Sequence, residues 1–223
     1  RKKYGVATGD SRNAVENAEV ILIAVKPAMV RDVINAVGDA VPQESLVISI
    51  AAGITLDTLE QGLADSRAVV RAMPNTPALV GQGMTVISAG RHCAEDQLML
   101  AQELLGSVGK VAVVPESQQD AVTAVSGSGP AYFFYVVEAM TDAGISLGLN
   151  PETAKDLAVQ TAFGAATMLV ETGDDPAELR QNVTSPGGTT AAAIDRLEAN
   201  QVRVAFAEAL AAAHQRSAEL ATE

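Results

Sequence analysis

Short, unbroken apolar runs most constrain what this chain can fold into. "EVILIAV" (19–25), "SLVISI" (45–50), "RAVVRAM" (67–73), "MTVISAG" (84–90) and "KVAVV" (110–114) show little polar alternation. A strand with one wet face alternates; a strand buried on both faces does not. Between these runs lie stretches with helical spacing, at 27–41, 55–63 and 94–109. Strands interleaved with helices predict a parallel sheet covered on both faces, the α/β plan.

After Pro115 the pattern changes. Residues 117–148, 151–172, 175–183, 189–199 and 201–222 read as helices, several of them separated by Gly and Pro. The expected division is an α/β domain over 1–115 and an all-helical domain over 116–223. "AYFFYVVEAM" (131–140) is apolar on nearly every face, so this helix is expected to be buried on all sides. A small helical domain cannot easily enclose such a helix alone, and a second subunit is expected to cover it.

Charge and cysteine content narrow the function. A formal net charge of −12 argues against nucleic acid, whose phosphates are bound by clustered Lys and Arg. It leaves an anionic small molecule open, because backbone amides can bind an anion locally. One cysteine, Cys93, and two histidines, His92 and His214, give no basis for an internal disulfide or for a metal site built on those ligands. No apolar run approaches the roughly 20 residues that span a bilayer, and no signal peptide is visible. A soluble, cytoplasmic protein is expected.

In a doubly wound sheet, ligands sit at the carboxyl ends of the strands, and three loops fall there. "AVKP" (24–27) places Pro27 at a helix start and Lys26 at the edge; it would also serve as a plain strand-to-helix turn. "SIAAGIT" (49–55) offers unshielded backbone to a flat ligand, or close packing. "MPNTP" (73–77) holds Asn75 between two prolines, with Thr76 and Pro77 read as helix cap and first helical residue. The Asn75 amide suits a ligand amide or an Asx-turn. In the helical half, "SPGGTT" (185–190) reads either as a turn with a helix cap or as an anion seat on open amides. No G-x-G-x-x-G follows a strand in the first half. The chain opens at "RKKYGVATGD", as though the first strand–helix–strand of the sheet had been left off.

"RAMPNTPALVGQG", "DAVTAVSGSGPAYFF", "AMTDAG" and "NVTSPGGTT", in this order, resemble pyrroline-5-carboxylate reductase, from about Glu19 to about Leu220. The resemblance implies a Rossmann domain, here shortened at its front, followed by a helical domain that interlocks two subunits. It implies reduction of 1-pyrroline-5-carboxylate to L-proline, the last step of proline biosynthesis, with NADPH or NADH. The part of the sheet that usually reads the dinucleotide 2′ position is absent, which leaves that preference undecided. By the same resemblance Ala24, Val25, Lys26, Pro27, Ala52 and Asn75 border the dinucleotide, Asn182 lies on the cofactor side, and Ser11 stands where relatives often carry an Asn near the ribose. Glu116 falls where the family holds its cyclic amino acid, although an acidic residue near a helix start has a dipole rationale of its own. Ser185, Gly188, Thr189 and Thr190 fall at the substrate, with amides for its carboxylate and the Thr190 hydroxyl for the ring nitrogen. A homodimer, or a larger oligomer built from dimers, is implied.

Two rivals remain. A β-hydroxyacid dehydrogenase-like oxidoreductase would carry a catalytic lysine on the first long helix of its second domain, but no Lys or Arg occurs from Ala121 to Leu149. A non-catalytic dimeric remnant would account for the missing front end, but not for the intact "MPNTP" and "SPGGTT" loops.

Overall fold

The computed structural model describes residues 5–64 and 66–221. The opening tetrapeptide of "RKKYGVATGD" and the last residue of the helix expected over 201–222 lie outside them. Backbone contacts divide the chain into two units. One holds the described residues up to Ser128 together with those from Ala211 onward; the other is Gly129–Leu210.

The first unit is built on a five-stranded sheet in the order β1-β2-β3-β4-β5. Its strands are β1 Val20–Ile23, β2 Leu46–Ser49, β3 Ala68–Met73, β4 Gly83–Ala89 and β5 Gly109–Val113. The first three run parallel, and β4 and β5 are parallel to each other. Between β3 and β4 the sheet turns antiparallel, a departure from the all-parallel expectation. The reason is length. Residues 74–82 hold only a 3₁₀ turn, Thr76–Val80, whereas a parallel crossover takes about a dozen residues or more.

Helices cover both faces, as continuous apolar strands require. On one face α2 (Val30–Val37) and α3 (Leu56–Gln61) pack Val30, Ile34, Val37, Leu56 and Leu59 against Ile23, Val47 and Val69. Positions 30, 34 and 37 follow one helical stripe. On the other face α4 (Glu95–Gly106) lays Ala101 and Leu98 over Leu46, Ile48, Val70 and Ile87. A short α1 (Ser11–Val15) precedes β1.

The single helix expected over 117–148 is broken. A 3₁₀ turn, Glu116–Gln118, leads into α5 (Gln119–Val122), a π turn (Thr123–Gly127) and then α6 (Gly129–Ser146). Pro130 explains the break. It has no N–H for the carbonyl four residues back, Ser126, and its ring crowds that carbonyl. Asn75 Nδ2 donates to Ser126 O instead, at 3.0 Å.

In the second unit α6 pairs with α7 (Pro151–Thr172) as a helical hairpin, followed by α8 (Pro176–Asn182) and α9 (Thr189–Ala199); α10 (Val202–Leu220) begins there. Local chemistry sets these bounds. Asn150 and Asp175 each accept an N–H at a helix start, and Gly173 ends α7 in the left-handed conformation. Within one chain the "AYFFYVV" helix is not enclosed: Phe133, Phe134 and Tyr135 are 70%, 67% and 72% exposed. Among the described residues, no helix is long and apolar enough to cross a membrane.

Candidate active site

The site candidates fall into two groups, one in each unit. In the first unit, β1 is followed by Ala24, Val25 and Lys26, with Lys26 exposed and heading the 3₁₀ turn Pro27–Met29. Beyond β2, Ala51 is buried and Ala52 is half-buried. Thr55 then caps α3, its Oγ1 accepting from Thr58 N–H. Ser11 opens α1 and is exposed; among the described residues, no hydrogen bond joins it to these loops.

Asn75 is more engaged than a free ligand contact or an Asx-turn would make it. Its Oδ1 accepts Met84 N–H at 2.9 Å, while its Nδ2 holds Ser126 O. Asn75, rather than Thr76, occupies the cap position of the 3₁₀ turn, and its side chain bonds elsewhere. One Nδ2 hydrogen is left over, so Asn75 can hold its loop and still offer a donor.

The sequence reading missed Arg71. The register sets Ser49, Arg71 and Ser88 side by side on β2, β3 and β4, all three buried. Two residues after β5 meet this polar row. Gln119 Nε2 donates to Ser88 Oγ at 2.8 Å, and Arg71 Nη1 donates to Glu116 Oε1 at 3.0 Å. The same Oε1 accepts Leu56 N–H at 2.6 Å, in the first turn of α3. Glu116 therefore fastens β3 to α3. Arg71 is the buried member of this pair and Glu116 is part-exposed, so losing Glu116 leaves a buried charge without its partner. The signal was present, since Arg71 is the one charge inside "AVVRAM".

In the second unit, Ser185, Pro186, Gly187 and Gly188 form a tight turn closed by Gly188 N–H to Ser185 O at 3.0 Å. Pro186 and then Gly187, at φ 71°, match the two central residues of a type II turn. At Gly188 a Cβ would lie 2.7 Å from Ser185 Oγ, so a larger residue there would push that hydroxyl aside. Gly188 is the N-cap of α9, and no side chain caps the helix. The first N–H bonded within the helix belongs to Ala192, so the amides of Thr189, Thr190 and Ala191 remain available. The turn is present, but Thr189 and Thr190 lie inside the helix rather than capping it, and open donors stand at the helix start, with Ser185 Oγ beside them and Thr190 half-buried. Asn182 is exposed at the end of α8.

Comparison with known proteins bears on what these loops belong to. The family profile for pyrroline-5-carboxylate reductase dimerisation matches residues 116–220, and that for NADP oxidoreductase, coenzyme F420-dependent, matches residues 1–53. A pyrroline-5-carboxylate reductase from Corynebacterium melassecola is 46% identical over 99% of this chain and 83% of its own length. The chain belongs to the pyrroline-5-carboxylate reductase family. The solved reductase of Coxiella burnetii, 44% identical, aligns over 96% of this chain and 80% of its own at a TM-score of 0.91. That of Plasmodium falciparum, solved with NADP bound, is 30% identical over 96% of this chain and 81% of its own, at a TM-score of 0.88. These likenesses favour neither the β-hydroxyacid dehydrogenase-like reading nor the non-catalytic remnant.

Proposed function

We propose that the protein reduces 1-pyrroline-5-carboxylate to L-proline with a nicotinamide dinucleotide, as the last step of proline biosynthesis. The observation that carries this reading is the uncapped start of α9, with three amides open beside Ser185 and Thr190. The substrate is a small ring with one carboxylate and one C=N bond. The open amides suit the carboxylate, and the Thr190 hydroxyl suits the ring nitrogen. Glu116, Ser185, Gly188 and Thr189 complete the proposed substrate set.

Ala24, Val25, Lys26, Pro27, Ala52 and Asn75 are the proposed cofactor contacts, with Asn182 and Ser11 assigned to the same ligand. When bound, the nicotinamide supplies a hydride. NADPH is the proposed donor and NADH the alternative; an NADP oxidoreductase profile and an NADP-bound relative support that choice. The chain's part in the chemistry is to orient the ring and serve its nitrogen. Thr190 is too weak an acid to protonate the imine outright; its hydroxyl fixes the nitrogen and helps deliver the proton as the amine forms. A homodimer is proposed, supported by the matched dimerisation profile and by the exposed aromatic face of α6. A cytoplasmic setting is proposed, which the single cysteine fits.

The test follows NADPH consumption by the full-length protein with 1-pyrroline-5-carboxylate. Losing a hydrogen bond worth about 1–3 kcal/mol should make Thr190→Ala roughly 10- to 100-fold slower in turnover, with Thr190→Ser much closer to wild type. NADPH affinity should barely move in either variant. A Thr190→Ala enzyme turning over like wild type would remove the hydroxyl from the chemistry.

A further inference from the structure

Arg71 is the one charged side chain among the described residues that is buried. It and the Leu56 N–H both bond Glu116 through the same oxygen, Oε1. Among the described residues, Oε2 takes no hydrogen bond, while the Glu116 side chain keeps 32% of its surface exposed against 7% for Arg71. A carboxylate held by one oxygen and open at the other is an oriented acceptor. We propose that Arg71 is a positioning residue: by occupying Oε1 together with Leu56 N–H, it turns Oε2 toward the ring N–H of the protonated cyclic imine and of the amine formed from it. This inference rests on the reductase reading above. A clamp that serves only to fasten β3 to α3 is the competing account, and the two differ in what the amide variant of Glu116 does.

In Glu116→Gln the two donors, Arg71 Nη1 and Leu56 N–H, select the amide oxygen for the place of Oε1. The NH₂ group then takes the place of Oε2, so the clamp persists while the open acceptor becomes a donor. Steady-state kinetics of the full-length protein separate the accounts. Glu116→Gln should raise KM for 1-pyrroline-5-carboxylate about 10-fold or more, with KM for NADPH within about twofold. Arg71→Met should raise the same KM by a similar factor, and Arg71→Lys should recover most of it. The double variant Arg71→Met/Glu116→Gln should be no worse than the poorer single variant, because both act on one oxygen. If Arg71→Met does not fold, Glu116→Gln and Arg71→Lys still decide the matter. A wild-type KM for the imino acid in Glu116→Gln, equal losses for both substrates, or multiplying effects in the double variant would overturn the proposal. A wild-type protein inactive on this substrate sinks the reductase reading and this inference with it. An active wild type whose variants keep its KM sinks this inference alone.

Discussion

Asn75 offers a direct measure of how the 73–77 loop is held. Its amide gives one bond to Ser126 O at 3.0 Å and takes one from Met84 N–H at 2.9 Å. Asn75→Ala removes both. At about 0.5–1.5 kcal/mol each, the loss should be about 1–3 kcal/mol. For a chain of this size about 1 kcal/mol moves Tm by about 2–4 °C, so thermal unfolding should begin roughly 2–12 °C lower. Asn75→Asp is the sharper probe. It keeps the acceptor for Met84 N–H but sets a carboxylate oxygen against the Ser126 carbonyl. That repulsion raises the carboxyl's folded-state pKa above its unfolded value near 3.9, so the variant's stability is fully present below that pH and lost as pH rises. The deficit of Asn75→Asp against wild type should therefore be at least as large as that of Asn75→Ala at pH 7, and should shrink toward pH 4. Tm measured across that range at fixed protein concentration checks it. An Asn75→Asp protein as stable as wild type at pH 7, or one with a deficit independent of pH, would refute the argued bond to Ser126.

Three further outcomes follow from local geometry elsewhere in the chain. Gly187→Ala places a side chain at φ 71° and should cost about 1–2 kcal/mol in urea unfolding. Gly188→Ala meets Ser185 Oγ at 2.7 Å and should instead show itself in a raised KM for the imino acid; equal effects from the two substitutions would contradict this assignment. Burial, and then Asp96, push the Cys93 thiol above its ordinary range. The neutral thiol's share of stability is thus full below the unfolded-state pKa near 8.5 and is lost as pH rises through the folded-state value. Wild type should lose stability relative to Cys93→Ala as pH rises above about 8.5, and a difference that stays flat there would show the thiol is not desolvated.

Strand positions were legible because burial on both faces leaves its mark on every residue of the run. Each of the five apolar runs became a strand within a residue or two of its expected bounds. The helices at 151–172 and 189–199 fell where expected because Asn150, Pro151, Gly173 and Gly188 state their ends locally. The direction of β4 was also within reach, since the brevity of residues 74–82 forbids a parallel crossover. Periodicity alone did not register it, because a strand buried on both faces reads the same in either direction.

The site resisted for a different reason. What Asn75 or Glu116 can do depends on which lone pair or hydrogen a distant residue has already taken, and periodicity reports near neighbours. Asn75 meets Ser126 across 51 positions and Glu116 meets Arg71 across 45. Even so, the sequence poses some of these questions in recognisable form. Pro130 announces that the carbonyl of Ser126 lacks a helical donor, and Arg71 inside a buried strand announces that a carboxylate has to reach it. An orphaned group of either kind demands a partner, and only the fold supplies its identity. Here both partners were residues already singled out for ligand contact. The two roles are compatible, because each side chain spends one half on its neighbours: Glu116 keeps Oε2, and Asn75 keeps one N–H. A side chain pinned in this way loses little further freedom on meeting a ligand, so the bonds that hide its proposed role from the sequence would be the same ones that preorganise it.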